Sequence, residues 1–431
     1  MPLFLHLYRC QIKMHMKKFV NILMVPCLAV GVASCTAEKS VSEERHATAP
    51  DDSGAKMDAI SGEMSDGGDY GDSTGEGSGE ENPNTQAGRV TAGEWCDLDN
   101  WDFWGNLMTG VSFESTSEYW GFWTNNRIAV EVTDKNGKPI ADVEVAIERS
   151  GAVLWNAITD NLGRAECWLG MFQKEEYSAT KDGLTLIVDG QAIEGSPDIV
   201  SWDCANGVKV NKVVLDGARS AAEKADIAFI VDATGSMADE IDFLKQDLLD
   251  ILNKVNAKQG TVAFRTAAVF YRDEGDEYIT RYSNFSTNFA TTTNFISEQY
   301  ADGGGDYPEA VHTALDCGIQ NLSWDPEAKT RIAFLLLDAP AHHEEKIIQS
   351  LHQLISSYAS AGIKIIPIAA SGVDKPTEFM LRFFAIATNG TYVFITNDSG
   401  IGNDHIEASV GDYEVELLNE LMIRLIEKYT N

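Results

Sequence analysis

Basic residues are scarce in this sequence: 33 Lys and Arg stand against 66 Asp and Glu in 431 residues, a formal net charge of −33. Phosphate backbones and anionic membrane surfaces are held by Lys and Arg footprints, so this balance excludes nucleic acid and direct membrane-surface binding from the expected partners. Zinc spacing is missing as well, since no pair among the cysteines left after Cys10, Cys27 and Cys35, namely Cys96, Cys167, Cys204 and Cys317, stands at the spacing of a zinc site. There is no P-loop, no HExxH, no protein-kinase signature set and no GxSxG elbow set between a strand and a helix pattern, which removes the motif-based enzyme readings. Long apolar runs are lacking too. The best candidate, Phe19 to Val32, is too short for a comfortable membrane span and is followed by charged, Gly-rich sequence.

What is present is globular in composition, 44% hydrophobic and 23% charged, with length for two or three domains. The first segment, residues 1–35, reads as an export signal: Lys17 and Lys18 precede the apolar stretch, and Val32-Ala33-Ser34-Cys35 resembles a bacterial lipobox. That resemblance implies cleavage before Cys35, lipidation of its sulfur, and a bacterial cell envelope, with an outer-membrane and surface-exposed location expected. Met16 is the expected start. Removing residues 1–34 takes away Arg9, Lys13, Lys17 and Lys18 and no acid, so the mature chain is more acidic still. Residues 36–90 are Ser, Gly, Asp and Glu with almost no large apolar side chains, a composition expected to form a disordered tether. Cys317 is expected to be a small buried hydrophobe, and Cys167 and Cys204 could pair in an oxidising envelope.

Five of the nine tryptophans, Trp95, Trp101, Trp104, Trp120 and Trp123, crowd into residues 91–124. Their mixed spacing favours packing against a neighbouring domain over an open sugar-binding platform. The Asp97-Leu98-Asp99 and Asn397-Asp398-Ser399 runs lack the full spacing of calcium loops and read as turns. From 125 to 217 the pattern changes to short alternating strands, among them Ile128 to Val132, Val143 to Ile147, Trp155 to Ile158 and Leu184 to Val188, separated by Asn-Gly and Asp-Gly turns. This predicts an antiparallel β-sandwich. The segment from Val132 to Val145, with Thr159 to Ala165, resembles the carboxypeptidase-regulatory-like, prealbumin-type domains of exported bacterial proteins.

The most informative run is Ala225-Asp226-Ile227-Ala228-Phe229-Ile230-Val231-Asp232-Ala233-Thr234-Gly235-Ser236. Ile227 to Val231 is a continuous apolar run suited to a strand covered on both faces, and Ile241, Leu244, Leu248, Ile251 and Val255 follow at helical spacing. Apolar strands and helical patterns then alternate from 222 to 431, which predicts an α/β fold with a doubly wound, mainly parallel sheet. Such sheets bind ligands at the carboxyl ends of their strands. Asp232, Thr234 and Ser236 form an oxygen-only set there, which favours Mg²⁺, or Mn²⁺ or Ca²⁺, over zinc.

The spelling DxTxS resembles the metal-ion-dependent adhesion site of von Willebrand factor A domains. Asp338, in Asp338-Ala339-Pro340-Ala341-His342, stands where that family places a carboxylate that meets the metal through water. The spelling most resembles that of A domains associated with alpha-kinases, which share DxTGSM, Tyr271-Arg272-Asp273, GGGDxPE and DAPxH. Nothing elsewhere in the sequence suggests the kinase itself. The family's second loop normally supplies a threonine, absent from the run Asp302-Gly303-Gly304-Gly305-Asp306, so Asp306 or Asp302 is the expected substitute. His342 and His343 read as a loop pair, with His342 near the site.

A haloacid-dehalogenase-type hydrolase would use Asp232 as a nucleophile with a second acid two residues on, but Thr234 stands there and cannot act as the general acid. The expectation is therefore a non-enzymatic, lipid-anchored envelope protein that engages a protein partner through a divalent metal. The alternative is a structural or assembly factor whose metal only stiffens loops. If Cys35 carries the lipid, Cys35→Ser should leave the detergent phase in Triton X-114 partitioning and lose membrane association. Unchanged mass and unchanged partitioning would reject the anchor.

Overall fold

The computed structural model describes residues 86–174, 182–203, 207–216, 221–257, 262–402 and 404–431. Cys35, the signal segment, the tether up to residue 85 and Cys204 lie outside the described residues. No helix among the described residues is long and apolar enough to cross a membrane.

In chain order, strand β1 (Thr91–Trp95) leads into helices α1 (Trp101–Met108) and α2 (Val111–Trp120). Two small sheets follow, built from β2 (Arg127–Asp134), β3 (Glu144–Arg149), β4 (Ala152–Ile158), β5 (Arg164–Trp168), β6 (Leu184–Val188), β7 (Gln191–Ala192) and β8 (Val210–Leu215). The remainder alternates β9 (Ala222–Asp232), α3 (Ile241–Ala257), β10 (Ala263–Tyr271), β11 (Thr280–Ser286), α4 (Phe289–Ser297), α5 (Val311–Gln320), β12 (Ala328–Leu337), α6 (Glu345–Ser360), β13 (Ile363–Ala369), α7 (Lys375–Ala387), β14 (Tyr392–Ile395), β15 (Glu416–Leu417) and α8 (Leu418–Thr430).

The main sheet has eight strands in the order β11-β10-β9-β12-β13-β14-β1-β15. Its centre, β10 through β14, is parallel, and β11, β1 and β15 join antiparallel. Why the apolar runs become central strands is visible in how their side chains divide. On β9, Ala228 and Ile230 enter one core while Ile227, Phe229 and Val231 enter the other; on β12, Ala333, Leu335 and Leu337 separate from Ile332, Phe334 and Leu336 in the same way. Alternate residues thus face opposite helical layers, and no polar face is left over. Helix α3 closes one layer with Leu244, Leu248, Ile251 and Val255, spaced to line a single face.

The segment around the tryptophans is part of this architecture. Thr91–Trp95 pairs with β14 on one side and β15 on the other, so a strand that precedes the small sheets belongs to the main sheet, and the 127–215 region is an insertion between β1 and β9. Trp101, Trp104 and Trp120 are buried, with Trp104 stacked on Phe379 of α7 at 5.7 Å and its Nε1 donating to Thr124. No open aromatic platform exists among these three rings.

The small sheets have the orders β5-β2-β8 and β4-β3-β6-β7. They differ from a purely antiparallel sandwich because β8 pairs with β2 in parallel. Their interior runs without a break into the helical layer of the main sheet. Polar contacts reinforce that seam: Arg331 meets Asp142 at 3.0 Å, Lys364 meets Asp160 at 3.0 Å, and Asn161 donates to the main-chain carbonyl of Lys428. Both basic residues stand at the amino-terminal ends of β12 and β13, so the insertion sits at one end of the sheet and leaves the other open. Cys167 and Cys317 are buried free thiols.

Helix α7 is buried on all sides, yet carries Glu378 and Arg382 inward. Arg382 donates to both oxygens of Asp97, at 2.5 and 2.9 Å, and contacts Glu378 at 3.3 Å, fixing the start of α1 to α7. Removing one member of a buried pair strands the other, so Asp97→Ala should cost about 3–5 kcal/mol of stability. Urea denaturation followed by tryptophan fluorescence would measure it; a loss within experimental error would mean the pair adds nothing to docking of the segment.

Candidate metal centre

Asp232 is the last residue of β9 and Asp338 follows the last residue of β12, its neighbour in the sheet. Parallel register therefore delivers both carboxylates to the same end of adjacent strands. After Asp232 the chain turns sharply. The Thr234 amide and hydroxyl both donate to Asp232 Oδ1, at 2.9 and 2.7 Å, and Thr234 Oγ1 lies 3.1 Å from Ser236 Oγ. Asp232 and Thr234 are fully buried, and Ser236 is exposed at the mouth.

The loop 302–309 is stitched over this turn. The Asp302 amide donates to the Ala233 carbonyl at 3.1 Å and the Gly235 amide to the Gly303 carbonyl at 3.0 Å. Gly303 and Gly304 both hold left-handed backbone, with φ of 78° and 70°, and a side chain on Gly303 would collide with the Asp276 carboxylate. Asp276 in turn accepts from the Gly304 and Asp273 amides. The end of the loop is fixed to the segment that follows β12: the Glu309 amide donates to the Pro340 carbonyl at 2.8 Å.

The sequence-predicted residues divide into two groups. Asp232, Thr234, Ser236 and Asp338 come together. Asp306 is exposed on the loop, and Asp302 is exposed with its carboxylate 3.6 Å from Arg272 at the rim. His342 bonds Asp273 at 2.7 Å and sits behind the loops, while His343 stacks on Tyr119. Sequence reasoning passed over Glu309, which is only 2% exposed, and gave no role to Tyr271, Arg272 and Asp273. Buried Arg272 reaches the Ala233 and Tyr300 carbonyls at 3.2 and 3.0 Å, bracing the metal loops from behind. The signal for all four was their place in the shared run YRD and in GGGDxPE.

The pocket is electrostatically unbalanced. Asp232 Oδ2, Asp338 Oδ1 and Glu309 Oε2 are buried without a hydrogen bond of good geometry; the Tyr271 hydroxyl beside Asp232 and the Ser236 hydroxyl beside Asp338 favour the charged forms without outweighing burial. Burial raises the Asp232 carboxyl to about 6 against the pull of its Thr234 hydrogen bonds. Burial and then the Asp232 charge raise Asp338 to about 8; burial, Asp232, Asp273 and Asp338 raise Glu309 to about 9. Orphaned carboxylate oxygens beside hydroxyls fit a hard divalent cation. Among the described residues no three His, Cys, Asp or Glu side chains are close enough to hold a metal alone, so the Thr234 and Ser236 hydroxyls and waters would have to complete the set.

A family model described as a von Willebrand factor A domain matches residues 226–379. The chain therefore contains a von Willebrand factor A domain, carried on a mixed α/β fold with a mainly parallel central sheet. Over 150 residues the chain is 33% identical to the alpha-protein kinase vwkA of Dictyostelium discoideum, covering 34% of this chain and 23% of that protein. Over 136 residues it is 32% identical to a putative ariadne-like RING finger protein of Acanthamoeba polyphaga mimivirus, covering 31% of this chain and 13% of that protein. The chain thus spans less than a quarter of the length of either relative.

Protons and a cation compete for the same oxygens. In metal-free protein the three carboxyls have pKa values raised above their ordinary 3.8 to 4.5, so the folded state holds protons that the unfolded chain has released. Their contribution to stability is full below about pH 4 and is lost as pH rises through the raised values. The rise in Tm given by saturating Mg²⁺ should therefore grow from pH 5 to pH 9, read by differential scanning fluorimetry against a chelator control. A flat increment would disconnect these carboxyls from the cation.

Proposed function

We propose that the chain is a non-enzymatic binding protein of a bacterial cell envelope, anchored through lipid on Cys35, whose A domain engages a protein partner through a divalent cation. The single observation that carries the metal reading is the set of buried carboxylate oxygens without a hydrogen bond of good geometry at the ends of β9 and β12. von Willebrand factor A domains commonly bind protein partners, which supports a partner of that class. Thr234 and Ser236 would present their hydroxyls to the cation, and Asp232 and Asp338 would hold it mainly through water. Asp232 also orients Thr234 by accepting its hydroxyl proton. A bound Mg²⁺ or Mn²⁺ would supply charge neutralisation and an open coordination position for an oxygen of the partner.

A second reading is favoured by how tightly the loops are tied to one another. Gly235 to Gly303, Asp302 to Ala233 and Glu309 to Pro340 form a closed set of main-chain bonds. In that reading the cation stiffens the loop end of an envelope assembly factor and the partner docks elsewhere.

Asp232→Ala tests the first reading. At Mg²⁺ one hundred times its Kd the wild type should gain about 2.7 kcal/mol, whereas the variant should gain none and remain folded without metal. Capture of envelope partners by the wild type should be lost with chelator and lost in the variant. Soluble acetate or glutamate should compete if the partner brings a carboxylate. Retention of both the metal increment and the chelator-sensitive capture by Asp232→Ala would place the site elsewhere.

A further inference from the structure

We infer that Glu309 supplies the metal ligand that the family's threonine would otherwise give, so that the cation is closed in by an acid of the chain itself. This rests on the metal reading of the Asp232 site and names its missing donor.

The first support is burial without a partner. Glu309 is 2% exposed, its Oε2 accepts no hydrogen bond, and among the described residues it forms no ion pair. A carboxylate so placed is costly to keep unless a cation or a proton balances it. Its surroundings supply the opposite of balance, since Asp232, Asp273, Asp338 and Asp276 all press on it with like charge.

The second support is position. A Cβ placed on Gly304 would lie 2.9 Å from Glu309 Oε1 and 3.2 Å from Thr234 Cβ. The carboxylate and the carbon face of Thr234 thus border the same small space, which Gly304 keeps clear, while the Thr234 hydroxyl turns to Asp232 and Ser236. Glu309 is held there from both sides. Its amide bonds the Pro340 carbonyl, and its backbone bridges Ala341, just beyond Asp338. Two residues earlier, the Tyr307 hydroxyl donates to the Gly372 carbonyl at 3.0 Å and accepts from the Asp374 amide at 3.2 Å.

The competing donors are worse placed. Asp306 faces solvent, and Asp302 faces solvent and Arg272. Three carboxylates do not form a cage here, so Glu309 acts with the Thr234 and Ser236 hydroxyls while Asp232 and Asp338 work through water. An internal carboxylate in place of a neutral hydroxyl tightens the hold on a hard cation and leaves it less able to pull on a partner's acid.

The experiment is a titration of the full chain with Mn²⁺ alone, following the free-ion signal by electron paramagnetic resonance, with Mg²⁺ competition. Glu309→Gln should weaken affinity by about tenfold or more, on the scale of losses at groups that tune a metal site. Glu309→Asp, which keeps the charge but withdraws it by one methylene, should also weaken it and guards against a folding failure of the amide variant. Asp302→Asn and Asp306→Asn should stay within about twofold of wild type, the range expected of a charge outside the site. Wild-type affinity in both Glu309 variants, with binding abolished by Asp232→Ala, would overturn the inference and leave the metal reading standing. A large loss in Asp306→Asn instead would give the position to Asp306. Binding that survives Asp232→Ala would overturn both.

Discussion

Like charge gathered at the end of a parallel sheet, with no basic side chain among the described residues paired to Asp232, Asp338 or Glu309, is the constraint on which the rest of this structure depends. Two unit charges 4 Å apart repel by about 4 kcal/mol at an effective dielectric near 20. Asp232, Asp338 and Glu309 must therefore be protonated or matched by a cation when the domain folds. Arg272 does not relieve them, because its guanidinium is turned to the Ala233 and Tyr300 carbonyls and to acids on the rim. The loops are consequently over-determined by main-chain bonds from outside. That rigidity keeps the hydroxyls and carboxylates convergent even while their charges repel.

The same division of labour runs through the packing. Structural ion pairs are buried elsewhere in the core, as with Arg382 and Asp97, or Arg127 and Glu166, the latter at 2.8 Å with the guanidinium stacked 4.7 Å over Trp101. Each of those acids has an ion-pair partner. Asp232, Asp338 and Glu309 have none among the described residues, and this contrast, more than the acidity of the whole chain, marks the site as functional.

Much of this was legible in the sequence because it follows from local pattern. The apolar run Ile227 to Val231 announced a strand buried on both faces with Asp232 at its end, while Asp338 was joined to it by the resemblance to the A-domain site. Strand β1 was not legible. Thr91–Trp95 is short and contains Ala and Gly, and its partners on β14 and β15 lie some three hundred residues later. Likewise β11 and α4, between Thr280 and Ser297, are rich in Thr, Asn and Ser and lack a sustained apolar period. Glu309 escaped for a different reason: its inward aim is created by the bond to Pro340 and by the space over Gly304, both tertiary. Asp306, the more acidic-looking candidate in its run, is exposed.

The position of β1 also decides how load would travel through the molecule. Because β1 runs antiparallel to β14, Thr91 lies beside Ile395 and Thr396, at the same end of the sheet as the metal loops. The 127–215 insertion is seated at the opposite end, against Arg331 and Lys364. A pull entering through the residues before Gly88 and resisted at the loops would thus cross one end of the sheet only. It would be borne by the β1 hydrogen bonds and by the Gly88 amide on Asp247, while the insertion, attached in the middle of the chain, would hang outside the line of force.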